Sequence, residues 1–545
     1  MKAFPLLIVF ILLLSCNKEE ILTDLYVKGY EINGIEESHL RGCNLKPIIK
    51  IKFSTPVDLN SASESIILFG KNNAIETKID LADGDSTLVI QPHDELSYLT
   101  YHLLIVEDGL KAKNGKTLFS SFQTSFTTLI DSTYKFPKIS DEELLTLVQR
   151  QTFRYFWDFG HPVSGLSRER NTSGDLVTSG GSGFGVMAII VGIERGFITR
   201  QQGVDRILSI TDFLLNKADR FHGVYPHWLN GVTGKTIPFS TKDNGGDLVE
   251  TSFLMAGLLC SKEYFDRNDP NEEKIRQQIK DIWETVEWSW HTKNNEKVLY
   301  WHWSPNYQWE MNHQIGGYNE ALITYIMAAS SPTYSINKDV YTKGWARNGG
   351  IKNGKSFYGF KLPLGYDLGG PLFFAHYTFL GIDPNGLYDE YADYHEQVVN
   401  HSKINHAYCT SNPLAYYGYT GQCWGLTASD NHIGYNAHSP TNDKGVISPT
   451  AAISSIPYTP AESMEALKYF YYILGDKLFK EYGFVDAFSL HHNWFANSFL
   501  AIDQGPIIVM IENHRSELLW KLLMKNDDIR KGLVKLGFSS PKYNL

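Results

Sequence analysis

Three stretches of the chain, GFGVMAIIVGIERG, LVETSFLMAGLLC and GGYNEALITYIMA, are apolar almost all the way round and rich in small residues. A helix with one apolar stripe lies on a surface, whereas a helix apolar on every side has to be enclosed by other elements. Amphipathic patterns lie between and around these runs. Ser140-x-x-Glu143 reads as a capping box, and it opens a helix with Leu144, Leu145, Val148, Thr152 and Phe156 on one face. Ile275, Ile279, Ile282 and Val286 share another face, and Leu518, Leu519, Leu522 and Leu523 mark a third. Outer amphipathic helices alternating with inner enclosed ones predict an all-α, α/α toroid. The polar and aromatic stretches 300–319 and 408–456 are then expected as loops over one mouth of the ring. Loops of that length in a compact domain are usually functional.

The chain has 545 residues, enough for more than one domain. Residues 22–128 follow a different period. PIIKIKF alternates Ile49, Ile51, Phe53; YHLLIVEDGL alternates Tyr101, Leu103, Ile105; SFQTSFTT alternates Phe122, Thr124, Phe126. Turn signals at Asp83-Gly84, Asp108-Gly109 and Asn114-Gly115 separate them. Several short strands of this kind predict a small all-β sandwich. The order of its strands and turns resembles a bacterial Ig-like domain, and a spacer role is expected for it. Residues 129–139, with Pro137, form a linker, and residues 140–545 form the helical domain.

Ahead of the sandwich, Lys2 precedes an apolar run that ends in Ser15-Cys16. The run is too short to span a bilayer and reads as a signal segment, residues 1–16. LLSC resembles a bacterial lipobox, which implies lipidation of Cys16. The acidic NKEE after it resembles the signal that sends some lipoproteins to the cell surface. An outer-membrane lipoprotein exposed at the surface is expected; the alternative is an ordinary secretory signal with a chance cysteine. Among the other cysteines, Cys409 and Cys423 flank a Gly/Tyr-rich loop and are candidates for pairing, Cys260 reads as a buried thiol, and no spacing matches a zinc site.

The net charge of −10 argues against a nucleic-acid partner, which needs a basic face. Aromatic residues make up 13% of the chain, with 12 Trp and 31 Tyr. Rings with one apolar face and polar neighbours suit sugars, and they suit large cores equally.

Acids then decide between the readings. STKDNGGDLVETSFLMAGLL brings Asp243, Asp247 and Glu250 together at the head of a buried helix. Asp247 fits an N-cap with Glu250 as its N3 partner; it fits a pocket acid equally well. Glu320 stands after two glycines at the head of another buried helix, and Asp503 stands before Gly505-Pro506, which suits the first turn of a third. A carboxyl partly buried among rings has a raised pKa, as a general acid requires. Glu512 is expected to pair with a buried Arg or His. YWHWSPNYQW and GVYPHWLNG alternate rings and polar groups, and Arg168, Arg170, His227 and His302 are candidate hydroxyl partners. SGGSGFG is not a phosphate loop, since no Lys-Ser/Thr ends it; it is expected to let a buried helix start close to a neighbour. G-x-S-x-G and H-E-x-x-H are missing, so neither a cofactor nor a metal is expected. Several acids beside sugar-compatible rings point to glycoside hydrolysis, which uses two carboxyls across the scissile bond.

The motifs GGSGFGVMAIIVGIERGFITR, RFHGVYPHW, DNGGDLVETSFLMAGLL, GGYNEALITYIMAASSPTY, GGPLFFAHYTFLGIDP, CWGLTASD, ISPTAAISSIPYTPAESMEAL and AIDQGPIIVMIENHRSELLW resemble the glucoamylase-like domain family, glycoside hydrolase family 144. The resemblance implies an (α/α)6 toroid and inverting, endo-acting hydrolysis of β-1,2-glucan to sophoro-oligosaccharides. It implies Asp243, Asp247 and Glu250 as pocket carboxylates and Glu320 and Asp503 as acid and base. Trp228, His227, Trp301, Trp303, Trp309, Trp424 and Arg168 are the expected substrate contacts. The middle region of cyclic β-1,2-glucan synthases resembles the same fold and transfers with retention; hydrolysis is favoured here, since no synthase region accompanies it. Action on another β-glucan or from chain ends, and a non-catalytic glycan-binding lipoprotein, are the alternatives. A monomer is expected.

Overall fold

The computed structural model describes residues 24–71 and 73–545, and the chain divides after Asp131 into two compact units. Cys16 and the apolar run before it lie outside the described residues.

The first unit is a sandwich of two sheets. Strands β1 (Val27–Ile32), β2 (His39–Cys43) and β3 (Ile49–Phe53) precede a short helix, α1 (Leu59–Ser65). Then come β4 (Ile66–Phe69), β5 (Ala74–Ile75), β6 (Thr77–Ala82), β7 (Thr87–Pro92), β8 (Tyr101–Val106) and β9 (Phe122–Thr128). The sheet orders are β1-β3-β7-β6 and β2-β9-β8-β4-β5. One core joins them, with Ile51, Leu88 and Ile90 from the first sheet and Leu68, Leu104 and Phe126 from the second. Ile49, Ile51 and Phe53 face inward as the alternation predicts. In β8 the inward set is His102, Leu104 and Val106, one residue out of step with Tyr101, Leu103 and Ile105. Apolar residues occupy both faces of that strand, so alternation alone does not choose between them.

The second unit is helical. Its elements run α2 (Asp141–Trp157), α3 (Ser179–Glu194), α4 (Arg200–Asn216), α5 (Leu248–Tyr264), α6 (Pro270–Glu284) and α7 (Leu322–Ser330). They continue with α8 (Lys338–Val340), α9 (Phe373–His376), α10 (Tyr394–Ser411), α11 (Pro449–Ile453), α12 (Pro460–Lys468) and α13 (Gly475–Leu478). The chain closes with α14 (Ala501–Ser516), α15 (Leu518–Lys525) and α16 (Asp527–Leu536). Helices α3, α5, α7, α11 and α14 are buried over nearly their whole length, while α2, α4, α6, α10 and α12 keep an exposed face. Enclosed and half-exposed helices alternate along the chain, as the sequence predicts. Ser140 and Glu143 form the capping box of α2, and its buried face carries Leu144, Leu145, Val148, Thr152 and Phe156.

Small residues allow this enclosure. A Cβ at Gly183 would overlap the Phe253 carbonyl, and one at Gly257 would overlap the Gly183 carbonyl, so α3 and α5 cross backbone to backbone. Glu512, on α14, forms a two-pronged ion pair with Arg195 (2.6 and 2.7 Å), as expected.

Two readings change. Residues 408–456 are not one loop: α10 continues to Ser411 and α11 begins at Pro449. The five-residue α11 is too short to leave a helical period in the sequence. Cys409 and Cys423 are separate buried thiols, each kept neutral by burial, and the expected pairing is not formed. They pack as small apolar groups.

Candidate active site

Asp247 caps α5. Its Oδ1 accepts the amides of Val249 (3.0 Å) and Glu250 (2.9 Å). The reciprocal half of the expected capping box is missing, because the Asp247 amide donates to the Tyr225 carbonyl instead. Glu250 is thereby released to reach across to α3, where its Oε2 accepts the Gly180 amide (3.0 Å) and the Thr178 hydroxyl (3.4 Å). A Cβ at Gly180 would collide with that carboxylate.

The other face of Asp247 meets rings. A short strand pairing sets Gly246 opposite Trp303 and Asp247 opposite His302. Asp247 Oδ2 lies 3.1 Å from His227 Nδ1, 3.2 Å from Trp301 Nε1 and 3.6 Å from His302 Nε2, and His302 is also 3.1 Å from Asp243. Burial alone would discharge both imidazoles. Glu250 and Asp247 outweigh it at His227, Asp243 and Asp247 outweigh it at His302, and each rises to about 9. Burial works against the Asp247 carboxylate, and the hydrogen bonds from His227 and His302 overcome it, holding Asp247 well below its ordinary value. Burial raises Glu250. His227, Asp243 and Asp247 offer ligand atoms within 4.8 Å of one another and could hold a metal ion. In this structure the two imidazoles supply the positive charge there.

Glu320 occupies the turn before α7, and its carbonyl accepts the Thr378 hydroxyl (2.7 Å). Burial, then the charges of Glu250 and Asp247, lift its carboxyl to about 7. It therefore holds its proton through most of the acidic range and exchanges it near neutrality.

A second group of acids gathers around Asp503. Asp503 lies in the first turn of α14, which starts at Ala501; Pro506 sits past that first turn, inside the helix. Its neighbour is Asp486, and the two carboxyls are within hydrogen-bonding reach of each other. Asp486 Oδ2 accepts the Asp430 amide (2.7 Å), and Asp430 is paired with Arg170 (3.2 Å). Burial lifts Asp486 to about 7. Burial and Asp486 push Asp503 well above its ordinary value. A cleft of about 330 Å³ lies beside this group, lined by Asn171, Asp430, Trp494, Asn497 and Ser498 among others.

Both acid groups act on the Tyr377 phenol. Burial raises the Tyr377 phenol, and Asp503, Glu250 and Glu320 all raise it further. Tyr377 therefore lies within electrostatic reach of carboxylates from both groups.

The expected sugar contacts divide. Trp301 binds Asp247 and stacks on His313, and Trp228 packs on Phe239 beside His227, so both border the first acid group. Trp303 and Trp309 belong to an aromatic stack with His222, Trp290 and Tyr300. Two candidates are corrected. Trp424 is wholly buried, with its indole N–H given to the Glu462 carbonyl (3.3 Å), and is a core residue. Arg168 spends its guanidinium on the carbonyls of Gly174 and Phe159 and lies over the Phe159 ring, so it braces a loop. Arg170 is an ion-pair partner of Glu169 and Asp430. Sequence reasoning missed Tyr377, Asp430 and Asp486. For Asp486 a signal existed: a lone acid inside the apolar run GFVDAF.

The chain is similar to known proteins over most of its length. The family model described as "Putative glucoamylase" matches residues 312–527, a span that holds Glu320, Asp430, Asp486 and Asp503. The bacterial Ig-like domain model matches residues 39–128. An exo β-1,2-glucooligosaccharide sophorohydrolase (non-reducing end) of Parabacteroides distasonis is 47% identical over 421 residues, 73% of this chain and 58% of that protein. The crystal structure of a protein called a putative glucoamylase, from Bacteroides uniformis, is 59% identical with a TM-score of 0.74, covering 75% of this chain and 100% of that one. The endo-β-1,2-glucanase of Chitinophaga pinensis, in complex with sophorotriose and glucose, is 53% identical with a TM-score of 0.73, covering 74% and 100%. The chain belongs to the glucoamylase-like family of glycoside hydrolases. It carries an Ig-like domain ahead of the hydrolase domain, and it spans 58% of the length of the curated relative it matches.

Proposed function

We propose that this chain is an inverting endo-β-1,2-glucanase that releases sophoro-oligosaccharides from an (α/α)6 toroid. The observation that supports the reading is that Glu320 and Asp503, two buried carboxyls with raised proton affinity from distant parts of the chain, both act on the Tyr377 phenol. Glu320 acts as the general acid and protonates the leaving glycosidic oxygen. Asp503 takes the proton of the attacking water, directly or through a substrate hydroxyl. Asp243, Asp247 and Glu250, with the charged His227 and His302, hold the sugar at the cleavage point, and Trp228 and Trp301 border it. A direct attack by water inverts the anomeric carbon, so a β-linkage yields an α-anomer as its first product. Beyond the catalytic unit, residues 1–16 are a lipoprotein signal, Cys16 carries a lipid anchor to the outer membrane facing the exterior, residues 22–128 are the Ig-like spacer, residues 129–139 the linker and residues 140–545 the catalytic domain, and the protein works as a monomer.

The test is incubation with purified linear β-1,2-glucan, following product length and anomeric form by NMR. A ladder of oligosaccharides born as α-anomers supports the proposal. Sophorose alone from the first minutes supports a second reading, exo action, which the P. distasonis relative favours. A first product in the β-form overturns inversion. No new reducing ends from β-1,2-, β-1,3- or β-1,4-glucan would leave a glycan-binding protein.

A further inference from the structure

We propose that Asp486 is a positioning residue for Asp503: their two carboxyls share a single proton in a pocket walled by Asp430 and Arg170. The inference rests on the reading of Asp503 as the base.

Asp486 and Asp503 are both buried, and one oxygen of each, Asp486 Oδ1 and Asp503 Oδ2, has no other hydrogen-bond partner. Two adjacent carboxylates in such a place cannot both carry charge. One proton between them satisfies both orphaned oxygens, and two orphaned buried acceptors otherwise cost stability. Asp430 raises the proton affinity of both members, and Arg170 opposes it only in part. Arg170 is the cation of the pocket, and it is committed to Glu169 and Asp430 at 3.0 and 3.2 Å. Asp430 is held further by the Ser498 hydroxyl (2.5 Å), and its amide donates to Asp486. The Tyr435 phenol, which feels Asp503, Asp486, Asp430 and Glu169, is itself kept protonated. Among the described residues, no cation is hydrogen-bonded to either member, and burial keeps the proton affinity of both raised.

Sharing a proton leaves the pair with one negative charge, placed on Asp503 when Asp486 holds the proton. In the proposed reaction the water oxygen bonds the anomeric carbon as its proton passes to Asp503. The glycosidic bond breaks, its electrons go to the leaving oxygen, and that oxygen takes the proton of Glu320. Asp486 touches no reacting atom; it sets how strongly Asp503 pulls on the water proton.

Asp486→Asn tests this, since the amide still accepts from Asp430 and donates to Asp503. On linear β-1,2-glucan the acidic limb of the kcat/KM profile should move down by roughly one pH unit or more. At the optimum kcat should fall about tenfold with KM within about twofold. An acidic limb that stays in place overturns the proposal, whatever activity remains. If the wild-type chain cleaves no β-1,2-glucan, the functional reading fails, and the pair is tested by denaturation instead. A raised carboxyl pKa stabilises the fold at low pH, and this stabilisation is lost as pH rises through the folded value. Wild-type stability should therefore fall between about pH 5 and 8. Asp486→Asn, or Asp503→Asn should the first variant not fold, should flatten that fall. Slopes equal to the wild type in the variant that folds overturn the proposal.

Discussion

The two acid groups solve one electrostatic problem in opposite ways. Asp247 and Asp503 are equally buried, at 0% and 2% exposure, and each starts a helix of the inner set. Around Asp247 the chain supplies two imidazoles, an indole N–H and two backbone amides, so the carboxylate stays charged and acquires a proton only in strong acid. Around Asp503 it supplies another carboxyl, and one proton stays on the pair. The first arrangement fixes charge and so suits holding polar hydroxyls. The second leaves proton affinity high, which suits proton transfer. Burial by itself therefore says little about the role of an acid; its donors say more.

The largest effect expected is at the acids that move protons. Glu320→Gln and Asp503→Asn should each cut turnover by at least about two orders of magnitude with the fold intact. Full activity in either would remove that residue from the mechanism. The next largest is structural and belongs to the other group. His227→Ala takes a cation from a fully buried carboxylate and should cost about 3 kcal/mol of stability. A variant as stable as wild type in urea denaturation would show that Asp247 does not depend on that imidazole. The groups should also differ in pH response. Activity should decline as pH rises through about 7, where Glu320 loses its proton, and Glu320→Gln should lack that limb. The stabilising contribution of Glu320 is complete below its unfolded value and is lost as pH rises through about 7. That of Asp247 is present at neutral pH and is lost only as pH falls below its ordinary value. The smallest effect is a control outside both groups: Ser140→Ala removes the α2 cap, costing about 1 kcal/mol without changing either pH response.

Much of this was legible in the sequence because it is local. The capping box at Ser140, the N-cap at Asp247 and the enclosed helices all follow from short-range spacing and from small residues. The ion pair of Glu512 was readable because an acid inside an apolar helix has to be compensated. What stayed hidden depends on direction. Trp424 lies in a motif like those of the other rings, and only the fold shows that it points into the core. Arg168 and Arg170 are two residues apart, yet one braces a loop and the other pairs with Asp430, 260 positions away. Asp486 was missed because its partner lies on another element and carries the same charge, the reverse of what a search for ion pairs looks for. The β8 register was missed because both of its faces are apolar.

The crossing of α3 and α5 at Gly183 and Gly257 has a further consequence for how such a protein can change. With no side chain between them, the two helices have no room to slide, and Glu250 is tied to the Gly180 amide beside their crossing. Any larger residue at either glycine would wedge the two helices apart. A change at this crossing therefore costs the packing of both helices, whereas the connecting segments are free of that constraint.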